Sequence, residues 1–112
     1  MKKRNPETVV IHGGAEPEHQ SGPLATPIFQ TSTFAVEDND EQLRVTHSDK
    51  FYTRYGNPTH TVAEKTIAEL EGAEAALLFA SGMAAITTTV LALVRAGDHI
   101  VAQADLYGGT MK

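Results

Sequence analysis

Apolar and polar positions recur with a helical period between Thr59 and Leu70: Val62, Ala63, Thr66, Ile67 and Leu70 share one side, and Glu64, Lys65 and Glu69 the other. Asn57-Pro58-Thr59 offers capping side chains before this stretch, and Gly72 suits a left-handed stop after it, so the spacing predicts a helix. The continuous apolar run from Ala75 to Ala80 reads as a strand buried on both faces. A second helix is expected from about Gly82 to Arg95, stopping at Gly97, and His99 to Gln103 makes the next strand. Strand, helix and strand within about 30 residues form a βαβ unit, with parallel strands and a right-handed crossover. Two buried strands and one crossover helix do not cover both faces of a parallel sheet. The chain is therefore expected to be part of something larger.

Residues 1 to 51 are different. They hold few periodic apolar patterns and many punctuators, Gly13, Gly14, Pro17, Gly22, Pro23 and Pro27, followed by the acidic run Glu37 to Glu41. They read as an extended arm with one short helix near Asp40 to Val45, lying on another surface rather than burying itself. His12-Gly13-Gly14 reads as a turn in that arm, and the acidic run as a solvated surface.

Composition narrows the function. In 112 residues, 41% hydrophobic content is enough for one modest globular domain. The formal charge of -5 with scattered Lys and Arg gives no basic stripe for nucleic acid. No cysteine is present, which excludes disulfides and thiolate chemistry within these residues. His12, His19, His47, His60 and His99 lack metal-ligand spacing, so no metal site is expected. The basic start, Met1 to Glu7, is not followed by an apolar stretch of signal-peptide length, and Ala84 to Val94 is too short to cross a bilayer of roughly 30 Å. Neither export nor a membrane span is expected.

The candidate chemistry lies in three short segments. Tyr52 and Arg54 are two apart, and in a locally extended backbone both side chains leave on one face. A guanidinium can give one phosphate two parallel hydrogen bonds, and the phenol adds a further donor. Ser81-Gly82-Met83 falls where the first strand turns into its helix, so the free N–H groups of the first helical turn face outward. Gly82 lets an anion approach the backbone, and the Ser81 hydroxyl either caps the helix or donates to the anion. Tyr107, in a loop loosened by Gly108 and Gly109, rises on the same carboxyl edge if the two strands are parallel. Taken singly, Ser81 reads as an ordinary cap, Tyr52 and Arg54 as a half-buried tyrosine beside an exposed arginine, and Tyr107 as a packed lid. Asp98 and Asp105, at strand ends, read as turn formers.

Together, Tyr52-Thr53-Arg54-Tyr55-Gly56-Asn57-Pro58-Thr59, Ala80-Ser81-Gly82-Met83 and Leu106-Tyr107-Gly108-Gly109-Thr110 closely resemble the front portion of the transsulfuration family of pyridoxal-phosphate enzymes. That family comprises cystathionine synthases and lyases, methionine gamma-lyases and acylhomoserine sulfhydrylases, and the resemblance runs from about Val10 to the last residue. It implies an α/β fold, part of the aspartate aminotransferase-like, fold type I large domain. Residues 1–58 would form an amino-terminal arm that crosses to a neighbouring subunit, and residues 59–112 the start of the cofactor-binding domain.

The resemblance further implies pyridoxal 5′-phosphate as cofactor, bound by Tyr52, Arg54, Ser81, Gly82, Met83 and Tyr107. Tyr52 and Arg54 would reach the cofactor of the partner subunit in a homodimer or homotetramer. Tyr107 would stack on the pyridine ring, a contact of about 1 kcal/mol beyond its area. The stretch Leu24 to Phe34 resembles the family's arm, whose hydroxyl residues lie near the mouth of the active site.

The Schiff-base lysine is not expected here: Lys2, Lys3, Lys50, Lys65 and Lys112 all lack the family's Ser-x-Thr-Lys context, so no catalytic residue is assigned. The expected function is the amino-terminal part of a cytoplasmic enzyme catalysing gamma-elimination or gamma-replacement on homoserine esters, cystathionine or related amino acids. The alternatives are an inert fragment or interaction module derived from such an enzyme, and then a free-standing phosphate- or nucleotide-binding domain. Methionine gamma-lyases typically carry cysteine where this chain has Gly109, which leans toward a synthase, sulfhydrylase or cystathionine lyase. With no cover over Leu77, Phe79, Ile86, Leu91 and Ile100, the isolated piece is expected to be partly unfolded or aggregated.

Overall fold

A computed structural model describes residues 4–14 and 25–111. Pro17, His19, Gly22, Pro23 and Leu24 of the expected arm, and Lys2, Lys3 and Lys112, lie outside the described residues. The chain divides into two compact units, Met1–Leu77 and Leu78–Lys112.

The first unit is built on α3, Pro58–Glu71, preceded by α1, Pro6–His12, and α2, Asn39–Val45. α3 follows its sequence signals. The Asn57 carboxamide oxygen accepts from the Thr59 N–H at 2.9 Å, and Pro58 occupies the first helical position. At the far end Gly72 is left-handed (φ +65°); its N–H reaches the Glu69 carbonyl at 3.3 Å, and the Ala73 N–H reaches that of Ala68 at 2.9 Å. Those two bonds make a Schellman stop.

α2 forms where expected, and its acidic run has a task. Asp38 caps the helix by accepting from the Glu41 N–H at 2.7 Å, and the Glu41 carboxylate accepts from the Glu37 N–H at 2.5 Å. This is a capping box displaced by one residue, so part of the run closes a helix end rather than merely facing solvent.

α1 departs from the arm reading. Pro6 at the helix start and Glu7 in the first turn favour it, but seven residues cannot hold a helix without tertiary contacts. Packing against α3 supplies them. Val9 is buried at 3% exposure while Val10 and Ile11 stay exposed. Burying one such side chain contributes about 2 kcal/mol.

Gly13 and Gly14 form a turn, as expected, after His12 closes α1, and that turn is tied to α3. The Thr66 hydroxyl stands 2.6 Å from the Gly13 carbonyl and 2.8 Å from that of Val62, and shares one proton between them. Gly14, at φ +66°, sits so close to α3 that a Cβ would collide with the Val62 carbonyl and Lys65. Arg4 adds a two-bond pair with Glu69 at 2.9 and 2.6 Å, exposed enough to contribute at most about 1 kcal/mol. The start of the expected arm thus lies on its own chain.

The second unit holds α4, Gly82–Leu93. Ser81 caps it, accepting from the Ala84 N–H at 3.1 Å. The helix stops two residues before the expected Arg95, because Val94 turns extended and a tight turn claims Arg95. The Arg95 N–H donates to the Asp98 carboxylate at 2.8 Å, and the Asp98 N–H donates back to the Arg95 carbonyl at 3.0 Å. Asp98 is a turn former, as expected.

The two strands are not found. Among the described residues neither Ala75 to Ala80 nor His99 to Gln103 joins a ladder, so there is no parallel pairing and no register. A continuous apolar run signals a segment fit for burial on both faces, but a strand exists only through neighbours that take up its N–H and C=O groups. Leu77, Phe79, Ile100 and Val101 remain exposed. Among the described residues of the first unit, strand pairing is confined to one antiparallel bridge, Thr33 to Tyr52.

Candidate functional site

In the first unit the backbone around Tyr52 and Arg54 is a turn, not an extended stretch. The N–H groups of Tyr55 and Gly56 both donate to the Tyr52 carbonyl, at 2.8 and 3.2 Å. Thr53 and Arg54 therefore occupy the middle of a β-turn. The two side chains still meet, by a route that alternation does not describe. The Arg54 guanidinium carbon lies 5.1 Å from the centre of the Tyr52 ring, a cation–π contact. Tyr55 packs beside Tyr52 with ring centres 6.2 Å apart, and stacks on Phe51 at the same distance. Arg54 is exposed, so its guanidinium is open to an incoming anion.

This turn is held from below by Asn57, buried at 2% exposure. Its carboxamide nitrogen donates to the Phe29 carbonyl and to the Thr53 hydroxyl, each at 3.1 Å. Its oxygen takes the Thr59 N–H that starts α3. The orientation of the carboxamide is dictated by its neighbours, since a carbonyl can only accept and a backbone N–H only donate. Thr53 in turn donates from its hydroxyl to the Thr31 carbonyl at 2.5 Å and from its N–H to the Ser32 carbonyl at 2.9 Å. The Phe29 N–H donates to the Thr59 hydroxyl at 2.9 Å. Residues 29 to 33, the turn bearing Arg54 and the start of α3 are thereby tied through one side chain.

Sequence reasoning found the cap in Asn57 and missed this junction. The only signal for it was a side chain with both donor and acceptor between an arginine turn and a proline. A cavity of about 500 Å³ beside the turn is lined in part by His47, Asp49, Phe51, Tyr55 and Glu64. Its two carboxylates make it the wrong place for an anion.

In the second unit Ser81, Gly82 and Met83 form the amino terminus of α4. The N–H groups of Gly82 and Met83 have no preceding helical turn to donate to, and they carry the positive end of the helix dipole. Ser81 accepts from Ala84, and an oxygen that accepts leaves its own proton to donate, so cap and anion donor are compatible roles. Apart from its chain neighbours and its own helix, nothing among the described residues lies within 4 Å of where a Cβ on Gly82 would stand, so the approach is open.

The third segment meets the second. The Thr110 N–H donates to the Tyr107 carbonyl at 2.8 Å, closing a turn, and the Thr110 hydroxyl lies 3.5 Å from the Met83 sulfur. Tyr107 is 75% exposed, with its ring folded over Gly109. Tyr52 and Arg54 thus come together in one unit, and Ser81, Gly82, Met83 and the Tyr107 loop in the other. No three or more His, Asp or Glu side chains gather in a metal-binding group among the described residues, and no helix there is long and apolar enough to cross a membrane.

Residues 7–112 match the family described as Cys/Met metabolism PLP-dependent enzyme. Over 108 residues the chain is 44% identical to the O-acetyl-L-homoserine sulfhydrylase of Leptospira meyeri, covering 94% of this chain and 24% of that protein. Over 106 residues it is 47% identical to the L-methionine gamma-lyase of Porphyromonas gingivalis, covering 92% of this chain and 26% of that one. The crystal structure of metB from Corynebacterium glutamicum superposes with a TM-score of 0.83 at 41% identity, covering 96% of this chain and 27% of that one. The chain spans about a quarter of the length of these relatives.

Proposed function

The chain belongs to the Cys/Met metabolism PLP-dependent enzyme family, and from that membership we propose that it supplies cofactor-binding elements of an enzyme acting at the gamma carbon of homoserine esters, cystathionine or related amino acids. The family match across residues 7–112 carries this reading. The fold is part of the α/β, fold type I architecture, as the likeness to metB at 41% identity establishes. The expected cofactor of the family is pyridoxal 5′-phosphate.

The residues present fit that group. A phosphate needs several donors in a small space, and the chain offers two sets: the open N–H groups and Ser81 hydroxyl at the start of α4, and the Arg54 guanidinium with the Tyr52 phenol. Tyr107 offers an exposed aromatic face for a flat ring. Bound pyridoxal phosphate supplies an electron sink for charge developing on the amino-acid substrate. This chain's own residues bind and orient it; the lysine that anchors the cofactor is assigned to none of them.

Residues 1–58 are proposed as an arm that carries Tyr52 and Arg54 to the cofactor of a neighbouring subunit, and residues 59–112 as the start of the cofactor-binding domain. The assembly would be a homodimer or homotetramer, in the cytoplasm. Gly109 bears on the reaction. A Cβ there would stand 2.6 Å from a Tyr107 ring carbon, so a cysteine of the kind methionine gamma-lyases typically carry would displace the ring from its present seat. A synthase, sulfhydrylase or cystathionine lyase is favoured.

The test is the intact mass of the native polypeptide from its source after borohydride reduction, which fixes lysine-bound pyridoxal phosphate to the chain. The expected result is a longer chain with one phosphopyridoxyl adduct. A 112-residue mass without adduct would replace this reading by an inert fragment or interaction module.

A further inference from the structure

We infer that Asn57 is a positioning residue for the Tyr52–Arg54 anion clamp, acting through the Thr53 hydroxyl; this rests on the cofactor reading above and deepens it. Arg54 reaches out from a four-residue turn, and an exposed arginine on a loose turn would lose much of its binding energy in being ordered. The turn is not loose. Thr53, its second residue, is held at three atoms: its N–H by the Ser32 carbonyl, its hydroxyl proton by the Thr31 carbonyl, and its hydroxyl oxygen by the Asn57 carboxamide. The oxygen is held only because the carboxamide, itself buried, has its second proton on Phe29 and its oxygen on Thr59.

The side chain thus performs two separable tasks. Its oxygen caps α3, and its nitrogen orders the turn. A residue needed only to start the helix could be aspartate, which ranks with asparagine as a cap. A residue that orders the turn could not, because a carboxylate has no proton for the Phe29 carbonyl and could hold the Thr53 hydroxyl only by taking its proton from the Thr31 carbonyl.

That difference makes the experiment. In the native full-length protein, the affinity for pyridoxal phosphate is measured after resolution of the cofactor, with the phosphorus NMR shift of the bound phosphate as a second readout. Arg54→Ala is the reference and should weaken cofactor binding. Asn57→Asp, with the α3 cap intact, should weaken it by about tenfold and move the phosphate resonance. KM for the amino-acid substrate should stay unchanged once the cofactor is saturating. Thr53→Val should reproduce the loss, and Thr53→Ser, which keeps the hydroxyl, should restore binding. If Asn57→Asp fails to fold, the Thr53 pair decides alone. Wild-type cofactor binding in Asn57→Asp and Thr53→Val, with Arg54→Ala impaired, would overturn the inference and leave the cofactor reading standing. Undiminished binding in Arg54→Ala would overturn the clamp and with it the inference, whereas a native protein that takes up no pyridoxal phosphate would overturn the cofactor reading itself.

Discussion

The turn around Asn57 and the helix α4 are equally well formed locally and very differently supported. Around Asn57, hydrogen bonds join residues 22 to 30 positions apart, and the central side chain is 2% exposed. α4 has its cap and its closing turn, yet Leu91 and Leu93 along it are each 76% exposed and Val101 beyond it is 98% exposed. Its composition is that of a helix meant for burial all round. Polar recognition in the first region is complete within the chain, because a few directed bonds satisfy each group. Apolar recognition in the second asks for area, and the described residues do not provide it.

The sharpest way to break this comparison is at the polar junction. Asn57→Ala removes the α3 cap and leaves the Phe29 carbonyl without its donor, and should cost about 3 kcal/mol in the stability of the first unit. Hydrogen exchange at the α3 amides reads this loss, and a change under about 1 kcal/mol would mean the junction is decorative.

Val9→Ala tests the smaller apolar contact between α1 and α3. It should cost about 1 to 2 kcal/mol and release α1 amides to exchange before those of α3. Simultaneous release of both would show that α1 is integral to the unit rather than docked on it.

Leu91→Gln should have the smallest effect. In the 112-residue chain it should shift stability by less than about 0.5 kcal/mol while reducing self-association, as light scattering would report. A loss of about 2 kcal/mol or more would place Leu91 under contacts and cancel the contrast between the two regions.

Much of this was legible from residue order. α3 declared itself by period, cap and stop, each a local signal; α2 was expected near Asp40 to Val45, but the acids that close its start read as solvated surface until the structure showed Asp38 and Glu41 bonding to backbone N–H groups. Ser81 as a cap and Asp98 as a turn former were equally local. α1 was not legible, because seven residues with Val9, Val10 and Ile11 in succession show no period, and its helix depends on a partner some 50 positions away. The extended backbone expected at Tyr52 and Arg54 is instead a turn closed by the Tyr52 carbonyl, and the two side chains meet across it.

Residue order thus settled whatever depends on neighbours within a few positions: helix caps, stops and turns. Tertiary contacts settled which of those pieces are held. They chose Asn57 as a junction, laid α1 on α3, and left Ala75 to Ala80 and His99 to Gln103 without ladders. A cap is satisfied by an atom three residues away, whereas a strand, or an ordered arginine, is satisfied only by atoms that the fold brings from a distance.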